Sequence, residues 1–483
     1  MSRTTLSISA AALVAAAFLG ANDAKAVRLD PEAGGQALIY PYYTVRSRGT
    51  DPFNTYLSIV NTSADGKALR VRFREGRQGL ETLGFNLFLS PNDTWTGALV
   101  PSADGGTQLV TTDRSCATYA APFDASGMNR EPLSAASFAA DGPDRTREGY
   151  VEVLEMGTVK GATLAAITQD AGGTPHDCGF VQSRLVDRAD IAAPSGGLQG
   201  TLTLINVASG MDMTVNAEAL ADLATTPYYR DPLDGYPDFS ASEIAPVSSI
   251  QTGTHVYRLL WSNGVDAVSS VLMRDAVINE YILDSATTSL SDWVMAFPTR
   301  RLLVSAAGTT AARAPFAASA APSKPGCETF SNTGFNRETQ GPVAGGSDYP
   351  EHPPEPPPPA VCYASTVFAV GNGQTVAPGL FGSVNTITSA PLVTYVFQNG
   401  WSLLQFTGAG ASQGLVSLPG SSRVDLRTGS VTTGAVRVQG LPVTGFLARS
   451  FYNGLLTCSG GTCQGSYGSA FPHRSTRAVS LVP

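Results

Sequence analysis

Three aspartates fall in one turn-rich stretch, Asp231-Pro232-Leu233-Asp234-Gly235-Tyr236-Pro237-Asp238. Carboxylates spaced by three and four can converge on a hard cation that takes oxygen ligands, so Asp231, Asp234 and Asp238 form a candidate calcium loop. The spacing is not that of an EF-hand, and Asp and Pro at such places also make ordinary turns. A second stretch, His176-Asp177-Cys178, sets an imidazole, a carboxylate and a thiol side by side. Spatial geometry and not adjacency makes a nucleophilic triad, and we read these residues as loop beside a half-cystine. There are four histidines (His176, His255, His352, His473) and no Cys-x-x-Cys pair, which disfavours a zinc site. No Gly-x-Ser-x-Gly elbow, His-Glu-x-x-His helix, P-loop or dinucleotide fingerprint occurs. We therefore expect no catalytic residue and no cofactor besides the calcium candidate.

The six cysteines, Cys116, Cys178, Cys327, Cys362, Cys458 and Cys463, all follow a leader-like start. Arg3 is basic, Leu6 to Leu19 is apolar, and Ala24-Lys25-Ala26 offers small side chains at the cleavage positions. That layout predicts a secretory signal peptide over residues 1–26, cut after Ala26. It implies export across the inner membrane, to the periplasm, cell surface or beyond. No later segment reads as a transmembrane helix. An even number of cysteines in an oxidising compartment predicts disulfides. Pairing of sequence neighbours is expected: 116 with 178, 327 with 362, 458 with 463.

The chain carries a net charge of −8, which becomes −9 once Arg3, Asp23 and Lys25 leave with the leader. This argues against nucleic acid as a partner, since phosphate binding needs clustered positive charge, and against docking on an anionic membrane. Only 14% of residues are charged, with 50 Gly and 32 Pro, a mixture suited to short strands and turns. Ala68 to Arg74 alternates, with Leu69, Val71 and Phe73 on one face and Arg70, Arg72 and Arg74 on the other. The arginines invite an anion or polysaccharide contact, but we read them as a solvated outer face.

The elements that must position these groups are mainly β. Strands are expected at 37–45, 56–61, 68–74, 85–89, 94–100, 149–155 and 201–207, with Asp65-Gly66 as a hairpin turn. We expect immunoglobulin-like antiparallel β-sandwich units with few short helices, held by disulfides. One helix is expected over 268–284, capped by Ser269 or Ser270. Residues 27–305 form an N-terminal composite region, 306–362 an Ala/Pro-rich linker or tethered loop, and 363–483 a C-terminal β domain. Within the last, Gln398-Asn399-Gly400 reads as a hairpin turn, and Cys458 and Cys463 bracket a hairpin tip. Leu441-Pro442-Val443-Thr444-Gly445 matches a sortase string without its downstream apolar span, and we read it as chance.

Several phrases resemble a group of exported proteobacterial proteins of unknown activity. They are Ile39-Tyr40-Pro41-Tyr42-Tyr43-Thr44-Val45, Val71-Arg72-Phe73-Arg74-Glu75-Gly76, Asn279-Glu280-Tyr281, Asp292-Trp293-Val294 with Phe297-Pro298-Thr299, and Gly440-Leu441-Pro442-Val443-Thr444-Gly445-Phe446. The resemblance implies export and a single architecture, and carries no functional residue across. The expected role is a non-catalytic cell-envelope protein that is structural, adhesive or assembling, with an envelope or extracellular protein or glycan as partner. Strand addition at exposed edges would make a homo-oligomer. The alternative is a carbohydrate-binding or carbohydrate-active protein using Trp95, Tyr42, Tyr43 or Trp401 as sugar platforms, although such aromatics also fill sandwich cores.

Overall fold

The computed structural model describes residues 25–136 (31 and 33 excepted), 141–183, 186–232, 237–304, 312–317, 326–338, 359–370, 379–387, 399–406, 414–458 and 461–483. The side chains of 453, 456, 458, 463 and 464 are also outside it. Residues 1–24 of the expected leader, residue 234 and the Pro-rich run at 351–358 thus lie outside the described residues.

The protein is mainly β, with every paired strand antiparallel except at isolated bridges. An eight-stranded and a six-stranded sheet face each other across one core. In the first, Gly66–Glu75 lies between Glu148–Val159 and Glu81–Leu89. In the second, Asn54–Asn61 lies between Leu198–Asn206 and Thr94–Pro101. Period-two alternation sends Leu57 and Ile59 inward to meet Leu69, Val71, Phe73, Trp95 and Val153. Two polar groups that enter this core are bonded there: the Tyr40 hydroxyl donates to Ser58 O (2.6 Å) and the Trp95 indole to Tyr119 (2.8 Å).

The expected hairpin at Asp65-Gly66 is instead a crossing between sheets, since Asn54–Asn61 and Gly66–Glu75 belong to different ones. The Asn61 side chain explains it. Its amide donates to Asp65 O (2.7 Å) and Ser90 O (2.9 Å), and its oxygen accepts from Ser63 N (3.1 Å). One side chain thereby satisfies the backbone of two adjacent crossings.

The expected helix at 268–284 is also corrected. The helix is Gly264–Leu272, and Asn263 caps it by accepting from Asp266 N (2.9 Å). Residues Ala276–Ile282 form a strand, because Val277, Asn279 and Tyr281 alternate inward while Glu280 faces out. Ser269 and Ser270 sit inside the helix, buried and hydrogen-bonded. Asn399-Gly400 is no turn either: both residues begin the strand Asn399–Gln405, opposite Ile282 and Tyr281.

Strands from 255–296 draw neighbours from 331–481, across the spacer expected at 306–362. Ala276–Ile282 pairs with Asn399–Gln405 and Arg474–Thr476. Leu290–Ala296 pairs with Ser365–Val370 and Thr444–Cys458. Two of the expected disulfides are present, Cys116–Cys178 and Cys327–Cys362. The second closes a loop at whose base Glu328–Thr329 pairs with Ala360–Val361. The third pair falls on side chains outside the description. Its backbone is a hairpin, with Cys458 opposite Gly461 and Cys463 opposite Leu456. Among the described residues no helix is long and apolar enough to cross a membrane.

Candidate functional site

The strand Gly66–Glu75 is buried along its whole length, its arginines included. The solvated outer face expected for Arg70, Arg72 and Arg74 is therefore wrong. In register beside them run Leu154, Glu152 and Tyr150 on one neighbouring strand. Arg74 pairs with Glu152, while Glu81 takes Arg70 (3.3 Å) and Arg72 (2.9 Å). Gly84 makes the room: a Cβ there would meet the Glu81 carboxylate at 2.2 Å and the Arg70 guanidinium at 2.8 Å. Burial drives Arg72 down to about 10, helped by Arg70 and Arg74 and opposed by Glu81. Burial also pulls on Arg74, but Glu152, Tyr150 and Glu81 together outweigh it and the net shift is upward.

Arg301 and Asp238 cover the far end of this layer. Arg301 sits against Gly79, within 3.3 Å of a Cβ there, and pairs with Asp238 at 2.6 Å. Burial would raise the Asp238 carboxyl, but Arg301 and the Ser240 donors bring it down to about 2. The candidate calcium residue Asp238 is thus occupied by a guanidinium and a serine. Asp231 is partly buried, and Asp234 lies outside the described residues. Among the described residues, no three His, Cys, Asp or Glu side chains come together as a metal site.

Two buried carboxylates at the strand ends tie distant segments together. Glu75 accepts from the backbone of Arg77 (2.7 Å), Gln78 (2.7 Å) and Leu80 (3.1 Å), and pairs with Arg145 (2.9 Å). Glu148 accepts from Tyr42 (2.9 Å), Ser383 Oγ (2.6 Å) and Val384 N (3.0 Å), and pairs with Arg46 (3.0 Å). Carboxylates so fully engaged hold structure and leave no lone pair to take a substrate proton. His176 is exposed, and Asp177 caps the helix Cys178–Gln182 by accepting from Phe180 N (3.1 Å). The Leu441–Gly445 string lies largely buried, with Leu441-Pro442 paired to Met273-Arg274. A cleft of about 600 Å³ opens where the two large sheets part, with Leu38, Pro41, Val215 and Phe446 on its walls. Its Glu218 already accepts from Thr444 Oγ1 (3.0 Å).

No family model, curated protein or solved structure matches this chain. Function has to be read from its own surfaces. Of the four aromatics expected as sugar platforms, Trp95, Tyr42 and Tyr43 are buried in the core and Trp401 is 39% exposed. Four exposed apolar side chains, Tyr452, Leu455, Tyr467 and Phe471, fall on the hairpin Thr444–Cys458/Gly461–Pro472. There Leu455 is 66% and Tyr467 56% exposed. Leu290–Ala296 pairs with this hairpin only as far as Ser450. Beyond it Tyr452 N still donates to Thr287 O (2.8 Å) and Gly468 lies against Asp212 and Met213, and Gly461–Pro472 is the outer strand of its sheet. From Ser450 to His473 the sequence holds no Asp, Glu, Lys or Arg. His473 adds no charge near neutral pH, because burial pushes it down to about 4.

Proposed function

We propose that the protein is an exported, non-catalytic component of the bacterial cell envelope that assembles by strand addition at this hairpin. The observation that carries the reading is an uncharged edge strand, Gly461–Pro472, on an arm with exposed Leu455 and Tyr467. From Tyr452 to Cys458 the arm reaches about 20 Å at ~3.4 Å per residue. Proteins that must stay monomeric blunt such edges with charge, bulges or cover. This hairpin is irregular between Tyr452 and Leu455 and is covered by Asp212 and Met213 at Gly468, but it carries no charge from Ser450 to His473, and an uncharged edge can offer its N–H and C=O groups to another strand. A second copy fits, since two identical edges can pair about a two-fold axis. Other envelope or extracellular proteins with a free edge would be taken the same way.

Export is supported by the leader-like start and by two disulfides in place. The facing antiparallel sheets support an immunoglobulin-like sandwich as their closest architectural type. Light scattering coupled to size-exclusion chromatography tests assembly. The mature chain is expected to elute as a dimer or larger, and Leu455→Lys with Tyr467→Lys as a monomer. A wild-type chain that stays monomeric at the highest reachable concentration, and is not retained by an envelope fraction, refutes the proposal.

A further inference from the structure

We propose a second, separate surface: a glycan-binding strip that takes a uronate-containing oligosaccharide. It is built on the sheet formed by Ser331–Asn336, Asn399–Gln405 and Ala276–Ile282. Phe335, Trp401 and Glu280 occupy one row across these three strands, each directly opposite the next. Residues opposite one another in an antiparallel pair share a face. Phe335 and Trp401 stack with ring centroids 4.6 Å apart and planes 25° off parallel, yet leave Trp401 open to solvent.

The polar end of the row is equally placed. Glu280 sits between two guanidiniums, Arg449 at 3.2 Å and Arg474 at 3.8 Å. Arg474 is 78% exposed, so most of its donors face solvent. Arg449 lies over the Phe471 ring, 4.6 Å from its centroid, which holds the guanidinium in place.

The strip therefore offers an aromatic plane, a carboxylate beside it and a cationic fork beyond. A pyranose ring presents a C–H face that lies flat on an indole, and equatorial hydroxyls that donate to a carboxylate. A uronate adds a carboxylate matched to the guanidinium fork. Two cations against one anion leave the strip locally positive on a chain of net charge −8. That balance favours an anionic sugar over a neutral one. The strip is independent of the assembly proposed for the hairpin edge, because none of its hydrogen-bonding groups lies on the arm beyond Ser450.

Trp401 reports on its own site. The chain has four tryptophans, and Trp95, Trp261 and Trp293 are buried. Acrylamide quenching thus reads Trp401 almost alone. A tetramer of galacturonate is expected to shield the fluorescence from quenching, and a neutral cello-tetraose to do so at least tenfold more weakly. Arg474→Ala is expected to erase the preference for the uronate. Trp401→Ala is expected to abolish binding by calorimetry, with the near-ultraviolet dichroism of the buried tryptophans confirming the fold. The proposal is overturned if neither sugar protects, if Trp401→Ala binds as wild type, or if the strip retains an unfolded peptide but no glycan. Leu455→Lys, which blocks the arm, is expected to leave sugar binding unchanged.

Discussion

Lys67→Met isolates the energetics of a buried ion pair at one end of the sandwich. Lys67 and Glu155 are both fully buried, 2.8 Å apart. The ammonium also donates to Ser195 Oγ and Gly196 O, each at 2.6 Å, so its three donors are all used. Glu155 in turn accepts from the backbone N–H groups of Ser195 (3.0 Å) and Gly196 (2.8 Å). The pair thus fastens the loop at 195–196 to the sheet. Methionine keeps the volume and removes the charge, which strands a buried carboxylate, and breaking such a pair costs about 3–5 kcal/mol. In urea that corresponds to a midpoint lower by about 1–2.5 M at slopes of ~2–3 kcal/mol/M. The sign with pH follows from Glu155. Burial raises its pKa in the folded wild type, against the pull of Lys67. A carboxyl raised on folding costs stability above its folded pKa, and the cost disappears as pH falls below its unfolded value. Without Lys67 the rise is larger. The deficit of Lys67→Met should therefore be greatest at neutral pH and shrink steadily toward about pH 4, near the unfolded value of a glutamate. Urea melts of both proteins across that range check this. A neutral-pH loss below about 1 kcal/mol, or one that does not change with pH, would refute the buried-charge reasoning.

Other outcomes follow from single contacts. Asp292 is buried, and burial pushes its carboxyl up to about 6 against the pull of the Phe381 and Leu380 N–H groups. Its ionisation costs stability above that value, so Asp292→Asn should be at least as stable as wild type at neutral pH, with a flatter urea midpoint between about pH 4 and 6. Glu148→Ala removes the buried acceptor for Tyr42, Ser383 and Val384 while Arg46 keeps Asp144; faster amide exchange at Val384 checks it, with a stability loss of roughly 2 kcal/mol from the stranded donors. Loss of Cys116–Cys178, which closes a loop of sequence separation 62, should cost about 4 kcal/mol, read as a lower melting temperature of the double alanine variant. Gly149→Ala would set a Cβ 1.9 Å from Arg74 O at the strand bulge, and soluble expression should fall sharply because backbone cannot yield there.

Most of the β content was legible in the sequence, and the alternation at 68–74 located the core face correctly. What alternation could not show was the environment of the other face. Charges every second residue look the same whether that face meets water or a second charged row. The missing signal lay some eighty residues away, where Glu148 and Glu152 alternate with Val151 and Val153 in the same period. Only Glu152 of that strand stands beside the arginines, opposite Arg72 and paired with Arg74, while Arg70 and Arg72 are met by Glu81 from the other neighbouring strand. The expected hairpin at Asp65-Gly66 failed for a related reason. A tight turn dipeptide specifies a reversal of direction, not whether the returning strand joins the same sheet. That choice depended on Asn61, whose contacts reach Ser90.

The glycan strip was half legible by the same logic. Trp401 stood out as a platform by type alone, but so did Trp95, Tyr42 and Tyr43, which lie in the core. The difference is the residue across the strand. Trp401 faces Glu280, a charge that has no place inside a sandwich without a partner, whereas Trp95 faces Ile59. An aromatic opposite a carboxylate is held at a surface, because burying the pair would strand the charge. Glu280 and Trp401 are more than a hundred residues apart in the chain, so only the register brings that argument within reach. Glu280→Leu should therefore leave Trp401 no longer pinned outward: acrylamide quenching of the free protein should fall as the indole packs against the new side chain. Unchanged quenching would mean that Phe335 and the strand geometry fix the ring by themselves.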